Sequence, residues 1–246
     1  MFLKLRLLLF GLLFFAGLEF AVFQPRFIFL MAVFLALAAF FEGKKSGGKW
    51  LFSILPAILS IFSIIQLYLI GLAYEQQIFI LLASGMYYLA LLSAYRLGQY
   101  SQDQTARGMN MAASTATIFF AYASAYGWYL NFLVPLYWLM LVYLAVTLLL
   151  SYQYFTIIKP GDKRNVWLYC FTLSLIMAEI IWTMNFWPFG YLTTGVIALI
   201  LYYVLWDIVQ SHFLNLLSKK RVIANMVFFS VMIILVLMTA KWIPVI

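Results

Sequence analysis

The stretch AEIIWTMNFWPFGYLTTG, residues Ala178–Gly195, sets one glutamate, Glu179, into a run of side chains that otherwise dissolve in lipid. The apolar run that holds it covers about Val166–Phe186, and a second follows Pro188 over Tyr191–Phe213. Each is of the length, roughly 20 residues, that a helix needs to cross the hydrocarbon of a bilayer. The pair therefore reads as a transmembrane hairpin with an aromatic turn.

The same reading extends over the chain. Nine segments qualify, at about 7–23, 27–41, 51–73, 78–95, 109–130, 132–154, 166–186, 191–213 and 222–240. The second is short and follows the tight turn Gln24–Pro25–Arg26, so the first two read either as two spans or as a shallow hairpin. Hydrophobic residues make up 67% of the 246 and charged residues 9%, with a mean hydropathy of +1.04. A soluble domain carries about a quarter charged residues. The fold class expected is all-α, a single integral membrane domain built as a polytopic transmembrane bundle. A transmembrane barrel would show short alternating segments instead. The amino-terminal run MFLKLRLLLFGLLFFAGLEF has the charged start of a signal sequence but no small-x-small cleavage site, and reads as a retained first helix.

Charge orients the spans. Thirteen of the 15 Lys and Arg residues lie at one side if nine helices alternate: Lys4, Arg6, Lys44, Lys45, Lys49, Arg96, Arg107, Lys159, Lys163, Arg164, Lys219, Lys220 and Arg221. Only Arg26 and Lys241 fall on the other. By the positive-inside rule the amino terminus is cytoplasmic and the carboxyl terminus exterior. The net charge of +8 is then topology, together with attraction to anionic lipid headgroups, and a nucleic-acid role has no motif to support it.

Against this background the intramembrane polar residues stand out. An ionised carboxylate at the bilayer centre costs roughly 2.5 to 3.5 kcal/mol on the lower scales, so it needs a partner, a proton or water. Glu179 lies about 12 Å from the exterior end of its span at about 1.5 Å per residue, near the midplane. Thr172, Glu179 and Thr183 share a helical face, expected to point into the bundle. Glu179 and Thr183 are therefore candidates for binding a proton or substrate. The equal alternative is a neutral glutamic acid tying two helices together.

In YYVLWDIVQSHF, Asp207 shares a face with Tyr203, Gln210 and Ser211, with His212 close by. It is either a hydrated residue near the basic loop or the wall of a cytoplasmic cavity with His212 as titratable neighbour. Glu19, one turn below the exterior surface, is a candidate to pair with Arg26 or Lys241. The fifth span, rich in Ala, Ser, Thr and Gly, is expected to be central because small residues permit close approach in lipid. Asn110, Ser114 and Thr117 form a polar stripe along it, used for packing or for lining a route. The aromatic exterior turns match an interfacial belt.

Enzyme signatures are missing. One histidine excludes most His-based metal sites, and neither a Gly-x-Ser-x-Gly elbow nor a phosphate loop occurs. No cofactor or metal is expected. The lone Cys170, inside an apolar run, reads as a small buried hydrophobe.

The run EIIWTMNFWPFGYLTTGVIALILYYVLW, Glu179–Trp206, followed by VLMTAKW near the carboxyl end, resembles a family of uncharacterised multi-pass proteins from small-genome bacteria of the candidate phyla radiation. The resemblance covers about the last third of the chain. It implies a bacterial plasma membrane and no known activity, and it transfers no site residues. The reading favoured is a non-catalytic subunit or scaffold that packs against a membrane-protein partner or forms a homo-oligomer. The alternative is a transporter of a small substrate or lipid that uses Glu179, for which broken helices, hinted at by Pro56 and Gly127, would speak.

Overall fold

The computed structural model describes residues 2–132, 134–158 and 161–240. Among them every regular element is helical. The nine long helices are α1 (Phe2–Phe23), α2 (Ile28–Gly47), α3 (Ile54–Leu69), α4 (Ala73–Gln99), α5 (Gln104–Phe132), α6 (Leu136–Ile158), α7 (Lys163–Met184), α8 (Tyr191–Phe213) and α9 (Lys219–Thr239). Eight are long and apolar enough to cross a membrane, including both α1 and α2. The exception is α5, the least apolar of the nine. Its Ala106, Asn110, Ala113, Thr117, Ala121, Ala123 and Ser124 are nonetheless buried. A helix that faces protein along its length has little need of lipid-soluble side chains.

The chain forms two compact units whose boundary falls inside α5, between Ala121 and Tyr122. In the first, Leu7, Phe14 and Leu18 of α1 meet Leu35 of α2, Leu59 of α3 and Ile80, Tyr87 and Leu91 of α4. Phe14 stacks on Tyr87 with ring centroids 4.3 Å apart. The outward faces carry exposed apolar residues such as Leu9, Leu12, Phe29, Leu30 and Leu37. So wide an apolar exterior belongs to a protein solvated by lipid.

Several boundaries differ from the hydropathy reading. Helix α2 continues six residues past Phe41, to Gly47, because Glu42 is ion-paired with Arg6 of α1 and is only 4% exposed. Gly48 then ends it in the left-handed conformation (φ +71°), with its N–H on the Lys44 carbonyl at 2.9 Å. Gly47 and Gly98 let the ends of α2 and α4 touch backbone to backbone. A Cβ on Gly98 would stand 2.8 Å from the Gly47 carbonyl oxygen. At the next turn, the Gln76 side-chain amide donates to the Ile70 carbonyl at 2.7 Å, so α4 starts at Ala73, before the polar residues that hide its beginning in the sequence. Helix α6 starts at Leu136, after Pro135. Neither suspected break occurs. Pro56 stands in the first turn of α3, where its missing N–H costs no helical bond, and α5 runs unbroken through Gly127.

The loop between α4 and α5 is closed by Asp103. One carboxylate oxygen accepts the Ala106 N–H at 3.1 Å and the other meets the Arg96 guanidinium at 2.7 Å. The Ala106 amide, with help from Arg96, holds the carboxyl below its ordinary value of 3.8. A carboxyl with a lowered pKa stabilises the fold fully above its ordinary value, and that stabilisation is lost as pH falls through the lowered one. Asp103→Ala should therefore raise amide exchange at Ala106 several-fold at pH 7, and acidification should leave this variant's excess exchange no larger. Equal exchange in variant and wild type at pH 7 would show that Asp103 is no cap.

In the second unit α6 packs on α7, α7 on α8 and α8 on α9. Tyr122 of α5 stacks flat on Tyr143 of α6, centroids 4.1 Å apart, and Ala123 lies so near Gly195 of α8 that a Cβ there would come within 2.8 Å of its own. The small residues of α5 do serve close approach. Helix α9 is the opposite case: no residue from 222 to 239 is buried.

Candidate functional site

Helix α7 buries Val166, Cys170, Leu173, Ser174, Met177, Ala178, Ile181 and Met184, a 3.6-residue stripe made almost wholly of apolar and small side chains. Cys170 belongs to it, as a small hydrophobe would. The stripe fills the inner face, so Glu179, one residue past Ala178, is turned to the outside. Thr172, Leu175, Glu179, Trp182 and Thr183 are all exposed. The expectation that the Thr172–Glu179–Thr183 face points into the bundle is thus corrected. Polar residues on one face of a membrane helix mark its inner side only when that side is otherwise vacant.

Both threonines are satisfied by their own helix, Thr172 on the Leu168 carbonyl at 3.0 Å and Thr183 on that of Ile180 at 2.7 Å. Glu179 has no hydrogen-bond or ion-pair partner among the described residues. It stands five residues before the end of α7 at Met184, about 7.5 Å at about 1.5 Å per residue, shallower than the 12 Å read from sequence.

Asp207 and His212 are drawn apart. Asp207 on α8 accepts the Asn225 side-chain amide of α9 at 2.5 Å, while His212 meets the Tyr169 hydroxyl of α7 at 3.0 Å. Five residues apart on one helix, they lie about 140° from each other around the axis, so one faces α9 and the other α7. They do not form the shared cavity wall that one reading had expected. Glu19 accepts the Gln77 amide at 3.1 Å and is not paired with Arg26, the first of its two expected partners, which sits exposed in the α1–α2 turn. Lys241 lies outside the described residues.

Asn110 is buried, at 2% exposure, with its amide nitrogen on the Ser93 hydroxyl of α4 at 3.3 Å and its oxygen without a partner. Ser114 and Thr117 are buried beside it on the helix, and Thr117 bonds back to the Ala113 carbonyl.

Two constellations were not foreseen. One is the buried Arg6–Glu42 pair, to which the Ser46 hydroxyl adds a 3.1 Å bond. Its sequence signal is an acid standing alone before the basic run Gly43–Lys49. The other is a hydroxyl ladder inside the second unit. The Tyr122 and Thr147 hydroxyls are 2.6 Å apart, the Tyr143 hydroxyl donates to the Tyr122 carbonyl at 3.0 Å, and Ser151 meets the Tyr202 hydroxyl at 3.1 Å. Each member is buried. Tyr143, Thr147 and Ser151 recur at four-residue intervals on one face of α6, a signal the sequence did carry, whereas Tyr122 of α5 and Tyr202 of α8 have no local spacing that announces them as partners in the ladder. Beyond it, the carboxamides of Gln66 and Gln153 are buried with Oε1 unpartnered in both and Nε2 in the second. Among the described residues no group of three or more His, Cys, Asp or Glu side chains converges.

An all-helical bundle with a wide apolar exterior and eight helices long and apolar enough to cross a bilayer defines a multi-pass membrane protein. The family model described as "Protein of unknown function (DUF5656)" matches residues 41–239, and the chain belongs to that family. The match is far wider than the carboxyl-terminal third on which the resemblance rested. Searches of curated proteins and of solved structures return no match.

Proposed function

We propose that this chain is a non-catalytic subunit or scaffold of a membrane complex. In this reading all nine helices cross a bacterial plasma membrane, with the amino terminus cytoplasmic and the basic loops against anionic headgroups. The orientation draws on the thirteen-to-two division of basic residues, and the bacterial setting on the resemblance of Glu179–Trp206. One observation carries the role: Glu179, within the apolar length of α7, faces away from its own bundle. A carboxylate kept in lipid without an internal partner is explained by a neighbour that supplies one. An internal transport route through Glu179 has the opposite requirement.

A transporter remains the second reading because of Gln66, Gln153 and Asn110. Their buried, unpartnered amide atoms would suit a polar solute or water better than a dry core. Native mass spectrometry of protein extracted gently from its own membrane separates the two. A stoichiometric protein partner is expected, and Glu179→Gln should weaken its retention while leaving the fold unchanged. A monomer that retains one defined small molecule would favour transport instead.

A further inference from the structure

We infer that the outward face of α7, along Thr172, Leu175, Glu179 and Thr183, is the docking surface for a transmembrane helix of a different protein, which brings a lysine or arginine to Glu179. The inference rests on the subunit reading and names the surface and the chemistry of its partner.

The face has the form of a helix seam. Its members follow one another at spacings of three and four residues, so they line one stripe about 16 Å long at about 1.5 Å per residue. Both threonine hydroxyls are already bonded to backbone carbonyls, which leaves the glutamate as the one polar group of the stripe that looks for a partner. Leu175 and Trp182 flank it with exposed apolar surface. A partner helix would cover this surface and dry the ion pair, where charge attraction is strongest.

Charge complementarity chooses the occupant. The described Lys and Arg residues of this chain stand within about two turns of a helix end or in a turn. In the proposed orientation almost all of those ends lie at the cytoplasmic side, opposite the end of α7 near Glu179. Among the described residues a second copy would offer at that level only Arg26, held in the α1–α2 turn; Lys241, read to the same side, lies outside them. Across a two-fold axis it would set Glu179 against Glu179, a like-charge contact. A cation carried within the span of another protein meets neither obstacle.

The test places a photo-reactive benzoylphenylalanine, one position at a time, at Leu175, Trp182 and, as a control, Ile234 of α9 in the full chain in its native membrane. The expected result is an adduct with one other polypeptide from positions 175 and 182, mapped to a span that contains Lys or Arg. Glu179→Leu should lower its yield about tenfold, the size of change that about 1.4 kcal/mol produces. Glu179→Lys combined with the partner's cation changed to Glu should restore it. An adduct of the chain with itself, or a partner adduct indifferent to Glu179, overturns the inference. Adducts from Ile234 but from neither α7 position overturn it too while leaving the subunit reading standing. Lipid adducts alone at all three positions remove both.

Discussion

Glu42→Ala should destabilise the first unit by about 3 kcal/mol, because it strands Arg6 beside a buried site built for a charge pair. Glu42 is only 4% exposed and receives both the Arg6 guanidinium and the Ser46 hydroxyl. Breaking a buried pair from one side typically costs about 3 to 5 kcal/mol, and the 28% exposure of Arg6 places this case at the low end by letting water reach the orphan. Replacing both partners by apolar residues of similar size, Arg6→Met with Glu42→Leu, should return stability to within about 1 kcal/mol of wild type. Equilibrium unfolding in mixed detergent, run as a double-mutant cycle, measures the coupling. If each single variant loses less than about 0.5 kcal/mol, the pair behaves as an exposed one and the argument is wrong.

Gly98→Ala is the second large effect. The added Cβ would lie 2.8 Å from the Gly47 carbonyl oxygen and 3.0 Å from the Gly47 Cα, and these are backbone atoms that cannot swing aside. Overpacking of this kind costs about 1 to 3 kcal/mol, more than the roughly 1 kcal/mol that alanine gains over glycine in helix propensity. The α2–α4 junction should therefore loosen, read out as faster proteolysis in the turn around Lys49 and a lower midpoint of detergent unfolding. Gly85→Ala on the same helix is the control. Nothing lies within 4 Å of its added Cβ, so it should be neutral or stabilising. Equal effects at the two positions would point to helix propensity and away from the contact.

How much of this was legible beforehand follows the range of the interactions involved. The apolar lengths of α1–α4 and α6–α9 are local and were readable, as were the small residues that bring α5 close to its neighbours. The end of α2 was not, because a helix through Glu42–Gly47 depends on Arg6, 36 residues earlier. The side on which Glu179 lies was misread for a related reason. Its own face holds threonines, but its direction is decided by the apolar stripe from Val166 to Met184 that fills the inside first. The partners of Asp207 and His212 were hidden because the two residues are close in sequence and diverge in angle. Of the Tyr122 ladder, the Tyr143–Thr147–Ser151 stripe of α6 was legible in its four-residue spacing, but its partners Tyr122 and Tyr202, about 80 positions apart on α5 and α8, are joined to it only in the packed bundle.

The low hydropathy of α5 bears on how the chain is laid into its membrane. A span enters the bilayer readily when its own side chains prefer lipid, and α5 has the weakest claim to do so. In the nine-span arrangement proposed above, α5 like every other span sets the parity of those that follow it. In that proposed orientation α6 would descend and α9 would end outside; with α5 left at the surface, every later helix would be inserted the other way up and the Lys219–Arg221 cluster would reach the opposite face. What holds α5 in place is its close contact with neighbouring helices, as at Ala123 and Gly195 and at Asn110 and Ser93. Damage to those contacts would therefore show first in biogenesis, as chains with an inverted carboxyl-terminal half, before it showed as a lower melting temperature.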